Sequence, residues 1–582
     1  MSSTVIVTGV LPFVILIATV LAFPICFALL SVYRRSVLRE MSRGSDAPVT
    51  HGPTAAFQSP VSHIRTIALD SNSTRNQNGI ESSQYRRALL GPWRASAAYA
   101  VAGVAYAAVM TAGWLIATSD QNIVWIKLLV LFWIYFWPSV LTALLVAAYY
   151  ASARIKLVGA YFSVLAALTA VALAKNPEMG ITELPMFWVL LNGPATILLF
   201  TFLIRPIRAV GPLVVVFLIA VAIGSQAIVT VAGANENLLR LIADIGFGVG
   251  LDALGVFAGM IVIGMIVFGM LGWPLLRWLG RRYEQKRLSD QSITLDALWL
   301  LFAVIQSIGL AFESPLWILT GVVAFVVYKL VSKFALRWTF ADVIGFEPRT
   351  LLLLRVFALA KRSEKLFDKF RIHWQYAGSI CMIAGPDLAT TTVEPHQFLE
   401  FVSGHLGRQF IRDKSDLDRR IASVDSAQDP DGRYRINEFF CHKDTWQMTM
   451  ERLAMTSDAV LMDLRSFSPN NQGCIFELGR LVDSVDLTRV VFLVDDTTDR
   501  SFLESSMQRL WQRMSAESPN QTAISPAVQL LGIAQQTEHD IKNLVRLLLR
   551  TRAGSFDDRV GAGEKLRSTQ GTGRFPISTT TT

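Results

Sequence analysis

Between Asp463 and Gly479 the chain collects side chains capable of acid–base and nucleophilic chemistry, Asp463, Ser468, Cys474 and Glu477, with Arg465, Asn471 and Gly473 set among them. The spacing runs from a strand end, through a polar loop, into a helical pattern. Glu477 falls in the first turn of that helix and shares a face with Cys474 and Leu481, its i−3 and i+4 neighbours. A carboxylate on a largely apolar stripe beside strand ends is partly desolvated, which raises its pKa and suits it to catalysis. The same spacing also allows a Glu477 that only complements the positive helix terminus, with Asn471 as N-cap.

The other chemical candidates are Arg355, Asp387, His442 and the pair Asp495 and Asp496, each just after a short apolar run. Arg355 with Lys361, Arg362 and Ser363 fits either a phosphate site at a strand end or a solvated basic helix start. Cys441 and His442 are adjacent on a strand pattern and so point to opposite faces, which argues against a nucleophile–base pair. His396 and His405, nine apart on a helical pattern, lie roughly opposite in phase and make no metal site. Four cysteines without CxxC spacing exclude a disulfide framework and a thiolate zinc site. No P-loop, dinucleotide fingerprint, kinase or triad signature is present, so neither a metal nor a separate cofactor is expected.

The elements that must position these residues begin near 348. Short β-rich runs at 351–357, 379–384, 435–441, 459–464, 489–495 and 528–533 alternate with helical patterns at 362–376, 395–411, 444–456, 474–484, 500–515 and 538–550. Such alternation predicts an α/β domain over 345–552 with a mostly parallel, doubly wound sheet of flavodoxin type. Ligands of such sheets bind at the carboxyl ends of the strands.

The stretch from Phe467 and Ser468 through Gly473, Cys474, Ile475, Phe476, Glu477 and Leu478 resembles the segment of Toll/interleukin-1-receptor (TIR) domains in which a Trp-Cys pair precedes a Glu-Leu pair. Its ending is also similar to that of nucleoside 2-deoxyribosyltransferases. Both resemblances imply that Glu477 is the catalytic residue, a nucleophile or a stabiliser of an oxocarbenium-like centre at a ribose carbon. Arg355, Asp387, Asp463, Ser468, Asn471 and Gly473 would then bind substrate, and NAD is the implied substrate of an N-glycosidase. The sequence departs from the pattern in that Gly473 replaces the TIR tryptophan. Many TIR-like modules bind one another without catalysis, so self-association and a scaffolding role form the alternative expectation.

Composition places this domain on a membrane protein. Of 582 residues 52% are hydrophobic and 17% charged, with mean hydropathy +0.41; ordinary soluble chains carry about 25% charge. Nine stretches are long enough to span a bilayer, at about 5–32, 95–117, 123–150, 157–174, 184–204, 209–233, 249–276, 293–312 and 315–336. The segment 237–250 reads as a further re-entrant or interfacial piece. The organisation is a first span in 1–32, a basic loop at 33–93 whose part 44–90 reads as disordered, an eight-span bundle at 94–338, the α/β domain, and a disordered tail at 553–582. Arginines and lysines crowd alternate connections, which predicts an N-terminus outside and a cytoplasmic C-terminal domain at the cell membrane. The net charge of +9 thus reports topology, and nucleic acid is not an expected partner. Of the ionisable residues, Asp252 is the one expected within a span or at its helix start, and Asp296 is expected in the first turn of its span. Five glycines from Gly255 to Gly272 suggest a helix-packing face.

Overall fold

The computed structural model describes residues 11–42, 68–70, 80–118, 125–148, 150–175, 180–202, 210–341, 348–355, 360–384, 397–398, 401, 406–442, 444–521, 527–533 and 536–551. Apolar helices dominate its first part: α1 (Leu11–Met41), α2 (Ile80–Ala117), α3 (Trp125–Tyr135), α4 (Trp137–Val146), α5 (Ala151–Lys175), α6 (Glu183–Phe202), α7 (Gly211–Ala234), α8 (Glu236–Gly248), α9 (Ala253–Glu284), α10 (Asp290–Leu310) and α11 (Leu319–Thr339). Among the described residues nine segments are long and apolar enough to cross a membrane, α3 and α4 together forming one of them. This is compatible with a multi-pass membrane protein. Helices α1 and α2 run on into the expected loop, to Met41 and from Ile80, and residues 68–70 form strand β1 (Ala68–Asp70), so that loop is not structureless throughout. The rest of it, 43–67 and 71–79, and the tail at 553–582 lie outside the described residues.

Polar side chains fasten the helices where apolar packing alone is undirected. Tyr106 on α2 donates to Gln306 on α10 (2.8 Å), Gln306 donates to Asn192 on α6 (2.9 Å), and Asn192 donates to the Ile134 carbonyl of α3 (3.2 Å). Asp252 caps α9, accepting from the Gly255 amide at 2.7 Å, which is its helix-start role. Asp296 lies nearly two turns inside α10, because a Ser289 capping box starts that helix earlier than expected, and it pairs with Lys329 of α11 at 2.6 Å. Of the five glycines, Gly264 and Gly272 meet α7, at Ser225 and Phe217, whereas a Cβ on Gly259 or Gly269 would touch nothing within 4 Å.

The chain divides into two compact units, and residues 360–449 group with the helices. In this unit α12 (Ala360–Trp374) and α13 (Lys414–Ala422) accompany strands β3 (Gly378–Ala384), β4 (Phe410–Ile411) and β5 (Ile436–Cys441), which pair in parallel in the order β3-β5-β4. The pattern at 395–411, read as helix, ends in a short 3-10 turn and β4. Helix ends on one side of the bundle meet this segment: His442 Nδ1 faces the Glu40 carbonyl (3.0 Å), His373 Nδ1 the Ala88 carbonyl (3.4 Å), and Phe340 stacks on Tyr376.

The turn between α9 and α10 is held most firmly. Arg435 lies 3.8 Å from the Tyr283 ring centroid and donates to the Tyr283 and Leu288 carbonyls and to both oxygens of Asp429. Lys286, in a left-handed conformation (φ 58°), pairs with Asp425 and donates to the Ala427 carbonyl. Ser289 donates to Asp431 (2.6 Å), which also pairs with Arg433. Burial raises the Asp429 pKa, and Arg435 opposes the rise.

The second unit holds strands β1, β2 (Arg349–Arg355), β6 (Ala459–Asp463), β7 (Val490–Val494) and β8 (Ala527–Gly532), all parallel, in the order β1-β8-β7-β6-β2. Helices α15 (Gln472–Ser484), α16 (Arg500–Gln512) and α17 (Glu538–Arg550) follow β6, β7 and β8, whereas α14 (Trp446–Thr456) bridges the sequence into β6. Every residue of β6 and β7 is buried, which is why these strands read as continuous apolar runs rather than alternations.

Candidate functional site

Asp463 is the last residue of β6 and stands in register with Arg355 of β2 and Leu493 of β7. The chain turns sharply there. Arg465 folds back on Asp463 through two charge-assisted bonds, Nε to Oδ1 at 2.7 Å and Nη2 to Oδ2 at 2.6 Å, and its own amide donates to Oδ1. The guanidinium is fully buried, and its Nη1 has no partner among the described residues. Ser466 takes a left-handed backbone (φ 58°), a conformation that non-glycine residues hold only where surroundings impose it.

The surroundings here are the loop after β7. The Ser466 amide donates to Thr497 Oγ1 (3.1 Å) and the two hydroxyls lie 2.9 Å apart. Thr497 in turn donates to Asp495 through both its amide and its hydroxyl, and the Thr498 hydroxyl donates to the Leu464 carbonyl. The Asp499 amide reaches the Phe467 carbonyl at 3.1 Å. Two loops at the carboxyl ends of adjacent parallel strands are thereby zipped into one rigid platform, where ligands of such sheets bind.

From this platform α15 departs. Asn471 occupies the N-cap position without capping: its Oδ1 accepts from the Ser468 amide (2.9 Å) and from the Ser468 hydroxyl (3.0 Å), contrary to the expected cap. Gly473 sits in open space, since an added Cβ would meet nothing within 4 Å. Glu477, only 3% exposed, lies in the second turn of α15 rather than its first, because the helix begins at Gln472. Burial pushes its pKa up to about 8, and its Oε2 has no hydrogen-bond partner among the described residues. Burial also raises the Cys474 thiol, with Glu477 and then Asp463 adding to the rise, so the two carboxyls flank this cysteine electrostatically. Asp463, Arg465, Cys474 and Glu477 are thus all buried, and the first two are locked to each other.

Of the expected site residues, Asp463, Ser468, Asn471, Gly473 and Glu477 fall on this one loop and helix, and Arg355 joins by backbone register; its side chain and Asp387 lie outside the described residues. Thr497 and Thr498 were missed by sequence reasoning, and Arg465, though part of the Asp463–Gly479 stretch, was given no site role; its place two residues after a strand-end aspartate was a legible signal. Cys441 and His442 are engaged separately, the thiol pushed up to about 12 by burial and the imidazole set against Glu40. Among the described residues no group of three or more His, Cys, Asp or Glu side chains is placed to hold a metal ion. Comparison of the chain with family models, with curated proteins and with solved structures returned no match.

Proposed function

We propose that this chain is an integral membrane protein of the cell membrane whose parallel-sheet domain cleaves the N-glycosidic bond of NAD or a related nucleotide. The observation that carries the reading is Glu477: a buried carboxyl of raised proton affinity, with one oxygen lacking a partner among the described residues, on the helix leaving a strand-end platform. A carboxyl perturbed by burial beside strand ends is a functional-site candidate. A cationic nicotinamide ring brought beside Glu477 favours the ionised form. The carboxylate then opposes the positive charge that develops at the anomeric carbon as the C–N bond breaks. The bonding electrons leave with nicotinamide, water adds its hydroxyl to the carbon, and one proton is released. Arg465, whose Nη1 has no partner among the described residues, supplies a donor for a phosphate or ribose oxygen.

Two features support a cytoplasmic side for residues 360–449. The helix ends at Glu40, Ala88 and Phe340 and the turn at Lys286 all meet residues 360–449, and the arginine- and lysine-rich connections are those same ends. The positive-inside rule makes that side cytoplasmic, with the N-terminus outside.

The second reading is a signalling scaffold that binds a nucleotide or partner without chemistry, and the near-complete burial of Glu477 favours it. Full-length protein in liposomes, crowded on the vesicle surface and incubated with NAD, separates the two. Nicotinamide release that Glu477→Gln abolishes supports the enzyme. Wild-type protein that binds NAD and releases nothing refutes it.

A further inference from the structure

Between the apolar helices α7 and α9 the chain inserts α8, and both of its ends are built turns. Asn235 breaks it from α7 in an extended conformation and caps it, accepting from the Leu238 amide at 3.2 Å. At the other end Gly250 takes a φ of 87°, which favours glycine, and Asp252 caps α9 two residues later. With 13 residues α8 is about 20 Å long, too short for the roughly 30 Å of a hydrocarbon core.

Three sides of this helix meet different surroundings. Gly246 is buried, and an added Cβ there would lie 2.4 Å from the Val256 side chain, so this side rests on α9. Leu241, Ile245 and Val249, four residues apart and therefore on one ridge, are 57%, 61% and 76% exposed. Glu236, Arg240 and Asp244 form a second exposed ridge, about 140° round the helix from the first. On it Glu236 and Arg240 pair at 2.7 Å, both largely exposed. Phe247, exposed near the helix end, is the exception on the polar side, and an aromatic ring is favourable at headgroup level.

We propose that α8 lies in the boundary layer of a bilayer, on the side remote from the α9–α10 turn, with Leu241, Ile245 and Val249 among lipid chains and the Glu236–Asp244 ridge in water. The level is set by α9. No charged residue stands between Ala253 and Leu276, about 36 Å of helix, so the apolar part of this candidate span begins in its first turn. That turn is the one to which Gly250 and Gly246 fix α8. The exposed apolar ridge also runs on through Leu251 into Leu254 at the start of α9. A re-entrant piece would have to bury its polar groups in protein, and the exposed Glu236–Arg240 pair is incompatible with that. With one positive charge against two negative, α8 is held by apolar burial rather than by anionic headgroups. Helix α9 is then gripped at both ends, by lipid through α8 and by Arg435 at Tyr283. Seating α8 in this way rests on the reading that these helices cross a bilayer, and it is independent of Glu477.

Spin labels on the full-length protein in phosphatidylcholine nanodiscs test the placement. The native cysteines are buried, so Leu241→Cys, Ile245→Cys, Arg240→Cys, Asp244→Cys and the mid-span reference Ile266→Cys can each be labelled selectively. Power-saturation electron paramagnetic resonance compares collisions with oxygen, which concentrates in lipid, and with a water-soluble nickel chelate. The ratio of oxygen to nickel collisions should be several-fold higher at 241 and 245 than at 240 and 244, and highest at 266. Equal ratios on the two ridges would place α8 in water, and labels at 241 and 245 shielded from both reagents would place it under protein; either result overturns the proposal. In both cases oxygen preference at 266 shows that the span itself still sits in lipid, so the failure of α8 is told apart from failure of the membrane reading, which nickel preference at 266 would signal.

Discussion

Replacing Glu477 by glutamine removes the ionisation and keeps the shape, and its effect should depend on pH in a calculable way. The carboxyl pKa is raised from 4.5 to about 8 in the fold by burial. A group raised on folding favours the folded state while it stays protonated, and that advantage is lost as pH climbs from the unfolded value through the folded one. Between pH 5 and pH 9 the wild-type protein should therefore lose about 4 kcal/mol of stability from this group alone. A glutamine side chain cannot ionise, so the Glu477→Gln variant should gain on the wild type steadily across that window. Thermal unfolding of both full-length proteins in detergent at intervals from pH 5 to pH 9 gives the difference directly, because other titrating groups cancel between them. A difference in midpoint that is the same at pH 5 and pH 9 would refute the argument, and with it the proposed electrostatic role of Glu477.

Two further perturbations probe other joints of the fold. Arg465→Met strips the buried Asp463 carboxylate of the guanidinium paired with it and should cost about 3–5 kcal/mol, whereas Arg465→Met with Asp463→Leu should recover most of that loss; a denaturant double-mutant cycle measures the difference. Gly264→Val puts a Cβ 2.7 Å from the Ser225 Cα, so α7 and α9 must separate. A disulfide engineered across that contact should form readily with Gly264 present and poorly after the substitution.

Much of the architecture was readable because its signals are local. Val490 to Val494 is an unbroken apolar run, Val-Val-Phe-Leu-Val, of the kind a strand buried on both faces carries, and the nine apolar stretches declare themselves by length. Strand β1 gave no such signal: Ala68 to Asp70 carries no alternation, and its partner, Ala527 to Gln529, is remote in the chain. Strand β4 was hidden for a similar reason, since the two residues Phe410 and Ile411 close what reads as a helical pattern. At the site, Glu477 was legible from its apolar stripe, but its depth was not, because helix α15 begins two residues earlier than the periodicity suggests. Asn471 has the residue type of a cap, and only three-dimensional geometry shows its oxygen spent on Ser468. The pairing of Lys329 with Asp296 depends on two antiparallel helices meeting, and no spacing rule within either one announces it.

The grip of Arg435 on the turn between α9 and α10 bears on how this protein can be taken apart. A fragment cut near 345, where the hydropathy falls, would strip that guanidinium of the Tyr283 ring and of the carbonyls of Tyr283 and Leu288, one residue ahead of β5. Asp425 would lose Lys286, and Asp431 would lose the Ser289 hydroxyl. The excised piece would carry a set of formerly shielded charges on a raw surface. Biochemistry on this chain is therefore better served by keeping the helices attached than by seeking a soluble half.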